Sequence, residues 1–246
     1  MTAAPADTAP AELHDPEHRH RDIRGGSARA AVFGISDGLV SNASLVLGMA
    51  GAHPAAAAIR LAGLAGLFGG ALSMAAGELI SMRAQAELLE RELDIERREI
   101  ALHPDGELRE LERIYERRGI EPGMAAALAR EMMATPEQAL ETHAREELGF
   151  DPNELGSPIS AALASFASFA VGAFIPLLAV LIATGAAAAI LASLLSVVAA
   201  GAVGGLLGHF SGRTRWRSAL RQVAICAGAA AVTFGIGTGV GHIHGL

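Results

Sequence analysis

Two acidic side chains stand inside stretches that are otherwise apolar, and they are the first residues whose surroundings suggest chemistry. Asp37 lies in the run FGISDGLVSNASLVLG, and Glu78 lies in the run GGALSMAAGELIS. A carboxylate at the centre of a lipid bilayer costs about 3 kcal/mol or more, so such residues usually serve ions or protons. The alternative is that both acids sit near a membrane interface or cap a bend. We favour a functional site.

Met74 adds a soft donor beside one of these acids. It precedes Glu78 by four residues, so the two side chains share one face of a helix. A thioether together with a carboxylate suits a borderline divalent transition metal better than Ca²⁺ or Mg²⁺. For a methionine alone, packing in an apolar core is the commoner role. The pair therefore favours a transition-metal site at membrane depth, with packing as the alternative.

A second set of carboxylates lies in the segment 83–151 and has helical spacing. Helix bundles build di-iron and di-manganese sites from inward-facing carboxylates and histidines on several helices. Acidic faces of exposed helices are more often solvated and paired with arginine, and this segment holds ten arginines. Spacing alone leaves both interpretations open. The residues concerned are Glu92, Glu96 and Glu99 (i, i+4, i+7), Glu107 and Glu110 (i, i+3), and His143 and Glu147 (i, i+4).

Charge is concentrated in the same segment. It carries 18 of the 26 acidic and 10 of the 19 basic residues, a net charge of −8 against −7 for the whole chain. Such a module attracts cations and repels nucleic acid, so we exclude DNA or RNA as a partner. The lone cysteine, Cys226, excludes a disulfide framework and a site built from several thiolates.

Five stretches are long and apolar enough to cross a membrane as helices. The chain is 51% hydrophobic but only 4% aromatic, and this Ala- and Gly-rich composition suits helices that pack closely in lipid. A span needs about 20 apolar residues, and lipid offers no hydrogen-bond partner to irregular backbone. The predicted spans are roughly 29–52, 60–82, 158–183, 186–208 and 218–242.

The segment between the second and third spans is also predicted to be helical. The run QAELLERELDIERREIAL continues the second span without a break. No strand pattern is present, so we predict an all-α polytopic membrane protein with five transmembrane helices and a helical module between helices 2 and 3. The predicted parts are a disordered tail at 1–27, spans at 28–82 and 157–246, a turn at Pro104-Asp105-Gly106, and module helices at 106–118, 123–133 and 136–148.

The arginines predict the orientation in the membrane. They precede the first span, fill the module and separate the fourth span from the fifth, whereas the loops on the other side hold only Arg60. The positive-inside rule then places the N-terminus and 83–151 in the cytoplasm and the C-terminus outside a cell membrane.

These apolar motifs resemble a known family. The runs FGISDGLVSNASLVLGMAGA, GGALSMAAGELIS and FAVGAFIPLL are similar to signature helices of the vacuolar iron transporters, over about residues 28–242. The resemblance implies a homodimer of five-helix protomers that exports Fe²⁺, and in some members Mn²⁺, from the cytoplasm in exchange for protons. It implies a transporter and not an enzyme. Fe²⁺ would be the substrate, with Mn²⁺ and Zn²⁺ as alternatives, and no tightly bound cofactor is expected.

The resemblance also implies roles for individual residues. Asp37 and Met74 would line the translocation path, and Glu78 ends the same motif. A cytoplasmic metal-binding domain would carry two E-x-x-E pairs and one further glutamate before Leu-Gly. At one position, where plant members have Met-Met, this chain has His143-Ala144, so imidazole replaces the soft ligand or the ligand is lost. The matching glutamates are Glu96 and Glu99, Glu107 and Glu110, and Glu147.

Two other classes of protein stay open at this stage. The acidic helices could form a membrane-tethered di-iron ferroxidase, although the Glu-x-x-His motif of such bundles is absent from 83–151. They could instead bind a partner protein in a structural or sensory role. For a transporter, protons reaching Asp37 or Glu78 would remove ligand charge and release the metal.

Overall fold

The computed structural model describes residues 26–152 and 156–244, and within them the chain forms eight helices and no strand. The all-α prediction is confirmed. The predicted tail at 1–27 lies outside the described residues, apart from the two residues that begin the first helix. The helices are α1 (Gly26–Gly51), α2 (Ala56–Leu102), α3 (Pro104–Arg117), α4 (Pro122–Met132), α5 (Pro136–Glu146), α6 (Pro158–Ile182), α7 (Gly185–Phe210) and α8 (Arg215–His244).

Five of these helices are long and apolar enough to cross a membrane: α1, α2, α6, α7 and α8. They match the five predicted stretches. Helix α2 has 47 residues, which corresponds to about 70 Å at 1.5 Å per residue. The hydrocarbon layer is about 30 Å thick, so the C-terminal half of α2 extends beyond it. One uninterrupted helix therefore belongs both to the membrane part and to the module.

The membrane part is held together by close backbone approach. Helix α6 packs against α1, α2 and α7, and α1 also contacts α8. A Cβ at Gly38 would overlap the backbone at Phe169, and one at Gly172 would overlap the backbone at Ile35. Small residues therefore allow α1 and α6 to touch backbone to backbone, as lipid-embedded helices without a large aromatic core require.

The module consists of α3, α4 and α5 folded against the extended end of α2. Two of its helices begin with side-chain caps, in which Glu121 accepts a hydrogen bond from the Met124 amide and Thr135 accepts one from the Gln138 amide. The predicted turn at Pro104-Asp105-Gly106 is wrong. Pro104 is the first residue of α3, because its fixed φ and missing N–H suit the first helical position.

Candidate metal sites

Four side chains from three helices converge inside the module. Glu96 comes from α2, Glu107 from α3, His143 from α5, and Glu147 from the C-terminal cap of α5. One donor atom of each lies within 4.8 Å of the others. We refer to these four residues as the acidic cluster. Carboxylate oxygens and an imidazole nitrogen at this spacing form a donor set that a single divalent cation can bridge.

His143 lies at the centre of the acidic cluster. Its side chain is fully buried, and its Nδ1 atom lies 3.2 Å from Glu96 Oε1. The same nitrogen is 3.6 Å from Glu147 Oε2 and 3.7 Å from Glu107 Oε2. The imidazole thus faces three carboxylates at once and could donate this nitrogen to a metal ion that they share.

Without a bound cation, the closely spaced carboxylates of the acidic cluster repel one another. Burial first of all, and then the neighbouring charges of Glu147, Glu107 and Glu110, together raise the pKa of Glu96 to about 7. Burial also raises the pKa of Glu107, although the nearby His143 imidazole acts against that shift. A bound divalent cation would take the place of the protons and relieve the repulsion among these acids.

Two of the six predicted metal residues stay outside the acidic cluster. Glu99 is exposed, and its Oε2 lies 3.0 Å from Nδ1 of His103. Glu110 is also exposed. Both nevertheless raise the pKa of Glu107 through their charge, so they act on the cluster from its edge.

Met132 and Met133 lie elsewhere in the module. They pack against the apolar core formed by Leu111, Tyr115 and the alanines of α4. The donors of the acidic cluster are therefore imidazole and carboxylate without sulfur. Such donors suit Fe²⁺, Mn²⁺ and Zn²⁺.

A second site lies in the membrane part, in a cleft of about 330 Å³ between α1 and α2. Asp37 from α1 and Met74 from α2 both line it, and Phe169 of α6 lies alongside. The Asp37 side chain is exposed in the single chain. The structure thus brings a carboxylate and a thioether to one open space at membrane depth.

Glu78 is placed differently from the other two residues predicted for the path. It is half-buried on α2, one helical turn beyond Met74 towards the module, and it does not line the cleft. From Met74 to Glu96 the same helix rises by about 33 Å. Glu78 therefore lies between the cleft and the acidic cluster.

Sequence reasoning missed the polar residues that line the cleft beside Asp37. Ser41 and Asn42 of α1 and Ser73 of α2 are among them, and Asn42 is only 1% exposed. An amide in an apolar span is costly unless it is bound to something, and that was the signal available in the sequence.

Comparison with known proteins gives one family. The sequence model of the VIT family matches residues 28–238. A protein named vacuolar iron transporter from Acanthamoeba castellanii is 40% identical over 65% of this chain, which spans 58% of that relative. Vacuolar iron transporter 1 of Oryza sativa subsp. japonica is 30% identical over 96% of this chain and 94% of its own length. The protein of that name from Arabidopsis thaliana is 30% identical over 92% and 91%. Because the family model and the plant relatives cover nearly all of the sequence, this chain belongs to the VIT family.

Proposed function

We propose that this protein carries Fe²⁺ across a membrane, out of the cytoplasm and in exchange for protons. The observation that carries the proposal is that one helix, α2, bears Met74 in the membrane cleft and Glu96 in the acidic cluster. Two sets of metal donors on one continuous helix suit successive stages of transport. We choose iron as the metal because the relatives are named iron transporters.

Capture is the proposed role of the acidic cluster. Three carboxylates and an imidazole lie close enough to share one ion, and the whole module attracts cations through its net negative charge. The arginine distribution supports a cytoplasmic position for this module. An ion collected there is concentrated near the cytoplasmic end of the membrane cleft.

Passage through the membrane is the proposed role of Asp37 and Met74. The carboxylate supplies charge and the thioether selects a borderline metal over Ca²⁺ or Mg²⁺. Protons arriving from the far side would neutralise Asp37 or Glu78, which removes ligand charge and releases the ion. Fe²⁺ is then the substrate, with Mn²⁺ and Zn²⁺ as secondary substrates.

A homodimer is part of the proposal. In the single chain Asp37 is exposed although it lies in a membrane helix, and a bare carboxylate facing lipid is costly. A second copy packed over the cleft would remove that side chain from lipid and enclose the path.

The direction of transport is proposed to be the same in either type of membrane. The sequence pattern predicted a cell membrane, whereas the relatives are named for the vacuole. The vacuolar lumen and the cell exterior both lie across the membrane from the cytoplasm. An organellar position therefore keeps the module on the cytoplasmic side and the C-terminal end of α8 on the other.

The test is Fe²⁺ uptake by proteoliposomes under anaerobic conditions. Fe²⁺ is supplied outside at neutral pH, the lumen is acidic, and a metal-quenched dye reports entry. We expect uptake that depends on the pH gradient and stops when an ionophore collapses it. Asp37→Ala should abolish uptake. Ser193→Ala should not, because the Ser193 hydroxyl donates its hydrogen bond within its own helix, to the Ala189 carbonyl. Full pH-driven uptake by Asp37→Ala would refute the assigned path.

The same proteoliposomes, placed in air-saturated buffer, test the alternative of a membrane-tethered ferroxidase. The observation in its favour is that buried carboxylates and a histidine from several helices meet in a bundle. Oxygen consumption on adding Fe²⁺, lost in Glu96→Gln and kept in Asp37→Ala, would support oxidase activity. Transport without oxygen consumption would exclude it.

A further inference from the structure

One buried polar atom in the membrane part is directed at the cleft and has nothing to bind. Asn42 is 1% exposed, and its Nδ2 donates a hydrogen bond to the Ala173 carbonyl at 2.6 Å. Its Oδ1 is buried and has no hydrogen-bond partner in the part of the chain that the structure describes. An unpaired buried acceptor costs about 1–3 kcal/mol, so its retention calls for a ligand.

The orientation of this amide follows from its neighbour. The Ala173 carbonyl can only accept a hydrogen bond, so the NH₂ group must face it. The Oδ1 atom is then turned to α2, where a Cβ added to Gly66 would come within 2.7 Å of it. Both Asn42 and Gly66 line the cleft. The glycine therefore lets this oxygen lie close against α2 at the wall of the cleft, where any larger side chain would displace it.

Both helices place this oxygen deeper in the membrane than the donors already described. Asn42 follows Asp37 by five residues on α1, a rise of about 7.5 Å away from the module. Helix α2 runs the opposite way, and Gly66 precedes Met74 by eight residues, about 12 Å further from the module. An ion moving away from the acidic cluster meets Asp37 and Met74 first and Asn42 afterwards.

We propose that Asn42 Oδ1 is a further cation ligand on the path, which receives the divalent ion after Asp37 and Met74. This inference rests on the proposed transport function. A neutral amide does not take up a proton at physiological pH, so protonation of Asp37 leaves this ligand intact. It is also a weaker ligand than a carboxylate, which suits a position that the ion must leave. When a proton releases the ion from Asp37, Asn42 Oδ1 is the next ligand along the path.

A purely structural role predicts something different. In that role Asn42 only links α1 to α6 through its hydrogen bond to the Ala173 carbonyl. The chemical nature of the atom that faces Gly66 would then not affect which metal is transported. Changing the chemical character of that donor separates the two roles, because only a ligand alters which metal is preferred.

The test is Mn²⁺ uptake by full-length protein in proteoliposomes with Cd²⁺ as competitor. Asn42→Cys replaces the amide oxygen with sulfur, which favours Cd²⁺ over Mn²⁺. We expect the Cd²⁺ concentration that halves Mn²⁺ uptake to fall by about tenfold or more, the scale on which metal sites respond to a changed partner. Ser44→Cys is the matched control, since it lies two residues further along the same helix and does not line the cleft. It should leave Cd²⁺ potency at the wild-type value.

Equal Cd²⁺ potency in the wild type, Asn42→Cys and Ser44→Cys overturns the inference. Gly66→Ala gives a second measurement that keeps the Asn42 residue, while the added methyl group would overlap its Oδ1 and Cδ2 of Leu45 and displace the oxygen from the cleft wall. We expect it to lower uptake by about tenfold, and unchanged uptake would also overturn the inference. Absence of uptake by the wild-type protein would instead remove the proposed function itself.

Discussion

The acidic cluster and the membrane cleft both offer donors to a metal ion, but they differ in charge and in enclosure. The cluster joins three carboxylates to His143, whose side chain is fully buried. The cleft has one carboxylate among its lining residues, Asp37, which is exposed in the single chain, together with the thioether of Met74. One site is compact and strongly negative, and the other is open and carries a single charge.

This difference is consistent with the two roles proposed above, capture by the cluster and passage through the cleft. Several carboxylates around one ion hold it strongly, because their charges attract it in an environment that screens less than water. A position on a conducting path must bind weakly enough for the ion to leave. The cluster is therefore suited to capture and the cleft to passage, and α2 connects the two.

The largest expected effect comes from removing the charge of the cluster. Replacing Glu96, Glu107 and Glu147 together with glutamine should weaken equilibrium Mn²⁺ binding by at least about a hundredfold, because the ion loses its charged ligands. Uptake at saturating Mn²⁺ should persist, since the cleft is unchanged. Calorimetry on detergent-solubilised protein measures the affinity, and proteoliposomes measure the uptake.

Glu131→Gln is the control for this experiment, because it removes one exposed carboxylate of the module that lies outside the cluster. Asp37→Asn should give the opposite pattern, with binding by the module retained and uptake lost. If Asp37→Asn weakens Mn²⁺ binding as much as the triple variant does, the division between the two regions is wrong.

An intermediate effect is expected from pH on metal binding by the cluster. The pKa of Glu96 is raised to about 7, so a proton competes with the metal below that value. Lowering the pH from about 8 to about 6 should weaken Mn²⁺ binding by about tenfold, and Glu96→Gln should flatten this dependence. The same raised pKa means that the metal-free fold loses stability as pH rises from the ordinary glutamate value through about 7. Thermal unfolding of the metal-free protein should show that trend, and a flat profile for both measurements would contradict it.

The smallest expected effect concerns the carboxylates at the edge of the cluster. Glu99→Gln or Glu110→Gln should weaken Mn²⁺ binding by only about two- to threefold at low salt, because an exposed charge acts through a screened field. The effect should vanish near 1 M salt, where the Debye length is about 3 Å. A large loss that persists in high salt would make either residue a direct ligand and would enlarge the cluster.

Much of the architecture could be predicted because its causes are local. The length of each apolar run predicts a span, and the helix formers after the second span predict the extension of α2. The predicted start of the last module helix at 136 is correct for α5, since the Thr135 cap and Pro136 at the first position act within one turn. The one wrong turn, at Pro104, arose because proline suits both a turn and the first position of a helix.

The sequence by itself determined which segments are helical, where charge accumulates, and which polar residues enter apolar helices. Only the tertiary structure decided that Glu96 and Glu107 face His143 while Glu99 and Glu110 stay at the edge. It also decided that the Asn42 amide turns its oxygen to Gly66. The physical reason is that helical spacing places a residue on a face of its own helix, whereas the partner of that face depends on packing between helices distant in sequence.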